Sequence, residues 1–350
     1  MTNTDIILTG LRSNGEFHLG NYLGAIKPMV ELQQRYNDDQ HQLNMFVPDL
    51  HSFTTPVDHR QLYEQTLTNL AIYHASGLDF NQSNTYIYRQ SHVPAHSELC
   101  VILNNFAYFG ELSRMVEFKE KTDSTENVSV GLFDYPALMA ADIILHGARW
   151  VPVGEDQRQH IELARDLAIR VNNKFESEFP DGVFRVVPAP VKQQNEFIER
   201  DEGLRIRSLR NPENKMSKSV EDPAGTIRLS DDPAEAAKKI MGATTDSVGV
   251  INYDLDTQPG ITNLLIIESQ LSGRDQGDVN SDWVGKSSYG DLKKQVAATV
   301  EQFLTELQSK IDGINRRLVI GKLETDEDIM RERTSATLRR VQQAVGVREL

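Results

Sequence analysis

The fold is decided by Asp5-Ile-Ile-Leu-Thr9, followed directly by Gly10-Leu-Arg-Ser-Asn-Gly-Glu-Phe-His-Leu-Gly-Asn-Tyr22. The first five residues form a short apolar run of the kind that becomes a buried strand. Gly10 lets the backbone bend where that strand ends, and a helix is predicted from about Leu19 to Arg35. A strand that passes into a helix in this way places the helix N-terminus, a natural anion site, at the edge of the sheet.

The alternation of strand and helix continues downstream. Further buried strands are predicted at Leu43–Val47, Thr85–Tyr88, Trp150–Val153 and Phe184–Val191. Between them, helices are predicted at Arg60–Ser76, Tyr135–Leu145 and Glu155–Val171. This order is typical of a parallel sheet wrapped by helices, so we expect an α/β fold with a doubly wound, Rossmann-like parallel sheet.

The pattern becomes helical after Asp222. Asp232 is a good N-cap with Pro233 in the first helical position. Helices are predicted at Ile261–Leu271, closed by Gly273, at Asp291–Ile311 and at Thr325–Val345, with Asp275–Ser288 as a surface loop. We therefore expect a Rossmann-like domain over residues 1–227, a smaller helical domain over 228–313, and a C-terminal helix within 314–350 that packs back on the first domain.

Length and composition narrow the class of protein. The chain has 350 residues, which suits two domains, and its 39% apolar and 25% charged content is that of an ordinary globular protein. It has no run of eighteen apolar residues and no visible signal peptide, so we expect a cytoplasmic location. The single cysteine, Cys100, excludes an internal disulfide and a cysteine-built metal site. A net charge of −14 argues against a generic nucleic-acid binder but allows a local basic patch.

Two separated signatures indicate phosphate chemistry. His18 and Asn21 share one helix face and can both donate to phosphate or ribose oxygens, while Gly20 allows close approach to that turn. Far downstream, Lys215-Met-Ser-Lys-Ser219 lies between loop-forming segments. Two lysines on such a loop can neutralise the charge that develops as pyrophosphate leaves.

This pair of signatures resembles that of the class I aminoacyl-tRNA synthetases, which adenylate an amino acid and load it onto tRNA. Two longer stretches are similar to the amino-acid pocket of the bacterial tryptophanyl-tRNA synthetases: Tyr135-Pro-Ala-Leu-Met-Ala-Ala-Asp-Ile143 and Val151-Pro-Val-Gly-Glu-Asp-Gln-Arg-Gln-His-Ile-Glu-Leu163. Pro48-Asp-Leu-His51, Val93-Pro-Ala-His96 and Phe118-Lys-Glu-Lys121 also match that family. The similarity runs from about Ile6 to Gln343.

The resemblance implies ATP, L-tryptophan and tRNA(Trp) as substrates, with Mg²⁺ bound to the ATP, no permanent protein-ligated metal, and a homodimer. The helical domain would reach the tRNA anticodon. The residues implied for ATP binding are Arg12, His18, Gly20, Asn21, Gly154, Asp156, Lys215, Met216, Ser217, Lys218 and Ser219. Those implied for tryptophan binding are Leu8, Gly10, His51, Tyr135, Met139, Asp142, Ile143 and Gln157. The lysines implied in catalysis are Lys215, Lys218 and Lys121.

The chemistry of the pocket agrees with this implication. Indole has a single polar group, an N–H donor, and Asp142 is the one carboxylate in the predicted helix Tyr135–Leu145. Met139 and Ile143 would supply apolar walls. The chain also departs from the family at Arg12, where Gln is usual, and Arg12 could contact either the substrate carboxylate or a phosphate.

Three other functions stay open on the sequence alone. A tyrosyl-tRNA synthetase shares this architecture, although a tyrosine pocket usually pairs its Asp with a second group that handles the hydroxyl. An enzyme that adenylates a small acid without tRNA is disfavoured by the long helical C-terminal part. A non-catalytic paralogue is disfavoured by the intact His18, Asn21, Lys215 and Lys218. Pyrophosphate exchange with each amino acid and a tRNA charging assay distinguish these functions.

Overall fold

A three-stranded parallel sheet forms the centre of the first part of the chain. The computed structural model describes residues 4–54, 57–116, 118–119, 127–154, 157–198, 204–217 and 223–350. The strands are β1 (Asp5–Gly10), β2 (His41–Val47) and β3 (Thr85–Arg89), in the spatial order β1-β2-β3. Three of the five predicted strands, at Asp5–Thr9, Leu43–Val47 and Thr85–Tyr88, are confirmed, and their parallel pairing confirms the α/β class.

Trp150 extends the sheet on the other side of β1. It makes one parallel bridge with Ile7, and its carbonyl accepts from the Leu8 N–H at 2.9 Å. The chain therefore builds the sheet outward from β1 to β3 and then crosses back to Trp150 on the other side of β1. This change of direction at β1 is typical of a doubly wound sheet, in which ligands bind beside it, at the carboxyl ends of the strands. The strand predicted over Trp150–Val153 is reduced to this one bridge.

The strand predicted at Phe184–Val191 is wrong. The segment has no strand assignment. Pro188 and Pro190 have no N–H to donate to a ladder, which explains why an apolar run here does not join the sheet. The side chain of Asn172 instead holds Phe184, donating to its carbonyl at 2.9 Å and accepting from its N–H at 2.8 Å.

Helices surround the sheet and form the remainder of the chain. The helix predicted from Leu19 to Arg35 is present but contains a π-helical turn at Tyr22–Ile26, just before Pro28, which cannot donate a helical hydrogen bond. The helices are α1 (Leu19–Asn21), α2 (Lys27–Arg35), α3 (Leu62–Ala75), α4 (Ala95–Leu103), α5 (Phe109–Leu112), α6 (Val130–Leu145), α7 (Arg158–Lys174), α8 (Val191–Ile198), α9 (Pro233–Met241), α10 (Pro259–Ser272), α11 (Gln276–Trp283), α12 (Tyr289–Asp312) and α13 (Arg316–Ala344). In the part of the chain that the structure describes, none of them is long and apolar enough to cross a membrane.

Capping residues explain the ends of the later helices. Asp232 accepts from the first N–H groups of α9, as predicted, and Gly273 ends α10 with a φ of 70°. The surface loop predicted at Asp275–Ser288 is wrong, because Asp275 caps α11 and Val279 is buried beneath it. Helix α13 begins at Arg316 rather than Thr325, since the Asn315 side chain caps it there.

Helix α13 packs along β3, the outer strand of the sheet. Its Asp326 accepts from the Ile87 N–H at 2.6 Å, and its Glu327 binds the Arg89 guanidinium through two hydrogen bonds of 2.6 and 2.9 Å. All of these polar groups lie in the interior, so the strand edge is covered. A single hydrophobic cluster also runs from Met45 in the sheet to Val300 in α12. The domain boundaries at residues 227 and 313 stay predictions.

Candidate active site

Asp142 is the centre of a buried polar cluster in the middle of the apolar helix α6. The residue is fully buried. Its Oδ1 accepts from Gln90 Nε2 and His96 Nδ1, each at 2.7 Å, and its Oδ2 accepts from His51 Nε2 at 2.8 Å. Burial alone would raise the pKa of Asp142, but the hydrogen bonds from His51 and His96 outweigh it and lower that pKa to about 2. The carboxylate is therefore ionised and already held by three donors.

These three donors come from separate parts of the chain. His51 opens a 3₁₀ turn after β2, and Gln90 opens another after β3, so both leave the sheet at the same carboxyl edge. His96 lies on α4, on the same buried face as Leu99 and Leu103. The topology of the parallel sheet thus brings loops that are distant in sequence to one carboxylate.

A second layer of polar groups lies behind His96. Its Nε2 faces His146 Nε2 at 3.2 Å, and the same His146 nitrogen faces the Tyr88 hydroxyl at 2.8 Å. Burial and the neighbouring His96 hold the pKa of His146 well below its ordinary value. His146 is therefore neutral, and Asp142 connects through His96 to a chain of buried hydrogen bonds.

The other residues predicted for tryptophan lie on the elements around Asp142. The ring of Tyr135 meets that of His51 edge-on at 6.3 Å, and its hydroxyl hydrogen-bonds His160 Nε2 at 2.8 Å. Leu8 and Ile143 belong to one buried apolar cluster, and Met139 packs against it. Gly10 ends β1, and Gln157 precedes the first residue of α7, its backbone N–H donating to the carbonyl of Gly154 at 3.0 Å.

The first phosphate signature is a capping box. His18 Nδ1 accepts from the Asn21 N–H, and the Asn21 side chain accepts from the His18 N–H, both at 3.2 Å. Because Nδ1 is an acceptor, a neutral His18 carries its proton on Nε2 and is a donor there. A Cβ atom on Gly20 would lie 3.1 Å from the His18 ring, so only glycine fits this turn without displacement.

The second signature lies against the first. Met216 is buried, and its Cβ would lie 3.5 Å from a Cβ on Gly20. The Thr226 hydroxyl donates to the carbonyl of Ser217 at 3.1 Å, and the next residue, Ile227, accepts from the Leu19 N–H at 2.8 Å. Lys215 is exposed beside this contact. The structure therefore brings the two signatures together, while Lys121, Asp156, Lys218 and Ser219 lie outside the described residues.

Arg12 contacts its own loop rather than the other predicted site residues. Its Nε donates to the Asn14 carbonyl at 2.8 Å, its N–H donates to the Tyr73 hydroxyl at 3.4 Å, and its guanidinium lies 5.9 Å from the centre of the Phe17 ring. Partial burial lowers its pKa from the ordinary value. These contacts favour neither a carboxylate nor a phosphate as its partner.

Sequence reasoning missed two features of the Asp142 cluster. It gave no role to Gln90 or His96, although a histidine on the apolar face of α4 was a readable signal. It also placed the helix start at Tyr135, where Asp142 is the one acid of the range up to Leu145, but α6 begins at Val130 and so includes Asp134 as well. Asp134 is half-buried, and burial raises its pKa. Within the described ranges, no three His, Cys, Asp or Glu side chains gather as metal ligands.

Comparison with known proteins places this site in a family. A family model described as tRNA synthetases class I (W and Y) matches residues 2–305. The tryptophan–tRNA ligase of Caldanaerobacter subterraneus subsp. tengcongensis is 41% identical over 341 residues, which cover 97% of this chain and 98% of that protein.

Solved structures agree with this placement. The tryptophanyl-tRNA synthetase from Mycoplasma pneumoniae is 34% identical, covers 98% of each chain and superposes with a TM-score of 0.79. The one from Campylobacter jejuni, complexed with ADP and tryptophan, is 29% identical, with 97% of this chain and 99% of that chain covered and a TM-score of 0.77. The chain therefore belongs to the class I tRNA synthetases for tryptophan and tyrosine, and within that family to the tryptophan–tRNA ligases.

Proposed function

We propose that the protein activates L-tryptophan with ATP in the cytoplasm and transfers the tryptophanyl group to tRNA(Trp). The observation that carries this proposal is the ionised Asp142 at the centre of its buried polar cluster, an acceptor that suits the single N–H donor of indole. A relative that is complexed with ADP and tryptophan supports the same pair of substrates.

The first step joins the amino acid to AMP. An oxygen of the tryptophan carboxylate attacks the α-phosphorus of ATP, and the bond from that phosphorus to the bridging oxygen breaks, so that pyrophosphate leaves with its electron pair. Mg²⁺ enters with the ATP as part of the substrate. No side chain has to act as a nucleophile, so catalysis rests on positioning and on stabilisation of the charge that develops.

The geometry of the two signatures supports roles for their residues at the ATP side. His18 Nε2 and Asn21 would bind ATP, Lys215 and Lys218 would bind the departing pyrophosphate, and Lys121 would assist. Burial of Met216 against Gly20 supports this arrangement, because it anchors the lysine loop beside His18.

The elements around Asp142 support roles for their residues at the tryptophan side. Tyr135 and Gln157 would bind the substrate ammonium, while Met139 and Ile143 would contact the indole faces. In the second step, the terminal ribose hydroxyl of the tRNA attacks the acyl carbon, and AMP leaves. The helical domain over residues 228–313 would bind the anticodon.

Pyrophosphate exchange with each amino acid in turn tests this proposal. We expect exchange with tryptophan to exceed exchange with tyrosine by several orders of magnitude, and we expect tRNA(Trp) to be charged. Faster exchange with tyrosine would contradict the substrate assignment, and no exchange with any amino acid would indicate a non-catalytic protein.

We also propose that a second copy of the chain covers an apolar face on α4, α5 and the start of α6. This apolar face consists of Val101, Tyr108, Phe109 and Val130, which are 66%, 58%, 75% and 81% exposed. The ring of Phe109 lies 5.0 Å from that of Phe133, so the face continues the interior of α6, the helix that carries Asp142. Phe109→Glu is expected to give a monomer in sedimentation equilibrium. An unchanged mass would place any dimer contact elsewhere.

A further inference from the structure

The donors around Asp142 fill its two oxygens unequally. A carboxylate oxygen has two lone pairs, so Oδ1, which accepts from Gln90 and His96, is fully used. Among the described residues, Oδ2 accepts from His51 alone, and because Asp142 is fully buried, an incoming donor reaches this oxygen by taking the place of His51. The donors also differ in burial, since Gln90 and His96 are completely buried, whereas the His51 side chain is 19% exposed. The two buried donors are fixed, and His51 is the donor whose side chain reaches solvent.

Gln90 also holds the loop that carries His51. Its Oε1 accepts from the Leu50 N–H at 3.2 Å, while its Nε2 donates to Asp142. Next to this bond, the Asp49 carboxylate accepts from the Ser91 N–H at 2.9 Å and from the Ser91 hydroxyl at 2.5 Å. The loops after β2 and β3 are therefore tied to each other and to Asp142.

His96 is fixed at both ring nitrogens. Its Nδ1 donates to Asp142, and its Nε2 meets His146 at 3.2 Å, with Tyr88 beyond. Rotation of this ring would break two buried hydrogen bonds and leave an ionised carboxylate with one donor fewer, which is costly in the interior. His96 thus sets the orientation of the carboxylate plane.

We propose that Gln90 and His96 are positioning residues that lock Oδ1 so that Oδ2 alone receives the indole N–H, and that His51 is a placeholder donor displaced when the substrate enters. This inference rests on the proposed function. The ionised carboxylate needs a donor in the empty pocket, and His51 supplies one that can move because it lies at the surface. An indole isostere without the N–H displaces His51 and leaves Oδ2 unpaired, so the site rejects it.

The test compares tryptophan with β-(3-benzothienyl)-L-alanine, in which sulfur replaces the N–H, by the ratio of their kcat/KM values in pyrophosphate exchange. His96→Leu is expected to lower that ratio by roughly tenfold to a hundredfold, mainly through a higher KM for tryptophan. His96→Asn, whose amide can donate near the position of Nδ1, is expected to restore most of it. His74→Leu, the same change at a half-buried histidine of α3, is the matched control and should leave the ratio unchanged.

Two further variants keep the inference falsifiable if His96→Leu does not fold. Gln90→Leu is expected to lower the ratio in the same direction. His51→Leu should lower the KM for tryptophan severalfold, because the substrate no longer displaces a hydrogen bond. An unchanged ratio in the His96 and Gln90 variants overturns their role as positioning residues. A KM for tryptophan that rises in His51→Leu overturns the role of His51 as a displaced donor. If the wild-type protein activates no tryptophan, the proposed function fails instead, so the two failures are distinguishable.

Discussion

The two ends of the candidate site are built in opposite ways. At the tryptophan end, which comprises Asp142 and its donors His51, Gln90 and His96, polar groups are buried and hydrogen-bond one another. At the phosphate end, which comprises His18, Gly20, Asn21 and the loop from Lys215, the lysine is exposed on a loop anchored by Met216. Under the proposed function, one end would select a substrate in the ground state, while the other would supply charge as the reaction proceeds.

The physical reason lies in when each charge is needed. The indole N–H is present throughout, so an acceptor held rigidly in the interior gains from low dielectric and from fixed orientation. Charge on pyrophosphate grows during the reaction, and a group that binds it better in the transition state raises the rate without tightening substrate binding. Substitutions at the two ends should therefore affect different kinetic parameters.

The largest effect is expected from Lys218→Ala. By analogy with the loss of one oxyanion donor, adenylate formation should fall by roughly 10²–10³-fold, while the affinity for tryptophan changes little. Single-turnover adenylation and equilibrium binding of tryptophan measure the two quantities separately. Lys192→Ala, at an exposed lysine on α8, is the control. An unchanged rate of adenylation would remove this loop from the mechanism.

A smaller effect is expected from Asp142→Asn at the tryptophan end. The amide oxygen can still accept from the indole, but the bond loses its charge, and bonds to charged groups contribute about 1.5–3 kcal/mol. The efficiency of adenylation with tryptophan should fall by roughly tenfold to a hundredfold. With the analogue that lacks the N–H, the substitution should change adenylation little. Assaying both proteins with both substrates therefore isolates the interaction between Asp142 and the indole N–H. Equal losses for both substrates would make Asp142 a structural carboxylate.

The three strands of the sheet and the acid within the apolar helix were predictable because their signals are local. The apolar runs of β1, β2 and β3 and the acid within apolar α6 are visible in short windows of sequence. The failed strand at Phe184–Val191 also had a local signal, since its two prolines exclude a central ladder. The helix α11 was missed because its sequence is polar, and its stability comes from burial of Val279.

The organisation of the site was not predictable, because it is tertiary. The three donors to Asp142 come from a turn after β2, a turn after β3 and the helix α4, and no sequence spacing relates them. The contact between Gly20 and Met216 joins segments from opposite ends of the first domain. A pattern identifies which residue types are present, but the parallel sheet decides which of them meet.

The buried chain behind Asp142 should make stability depend on pH. The pKa of His146 is held well below its ordinary value of 6.5, chiefly by burial, so the unfolded chain binds a proton that the folded protein does not. Stability therefore falls as the pH drops below about 6.5, by about 1.4 kcal/mol per pH unit at most. Asp142 acts in a separate window, because its pKa is lowered from 3.8 to about 2, so its contribution is present above about pH 4 and is lost below it.

His146→Phe should flatten this dependence between pH 7.5 and 5.5. Urea unfolding at several pH values gives the free energy of unfolding directly, and the difference in slope between wild type and variant is the quantity to compare. The same change at the exposed His59 is the control and should leave the slope unchanged. A slope that persists in His146→Phe would place the titrating group elsewhere.

The smallest effect is expected from Gly20→Ala, which tests how tightly the phosphate end is packed. The added methyl group would lie 3.1 Å from the His18 ring, and that ring cannot retreat because it is buried. Overpacking of this kind costs about 1 kcal/mol at its lower end, so the KM for ATP should rise roughly fivefold, while the KM for tryptophan stays the same. Gly290→Ala, where a Cβ meets no neighbour, is the matched control. If the variant instead raises the KM for tryptophan, a change at His18 reaches the tryptophan end, and the two ends of the site are coupled rather than independent.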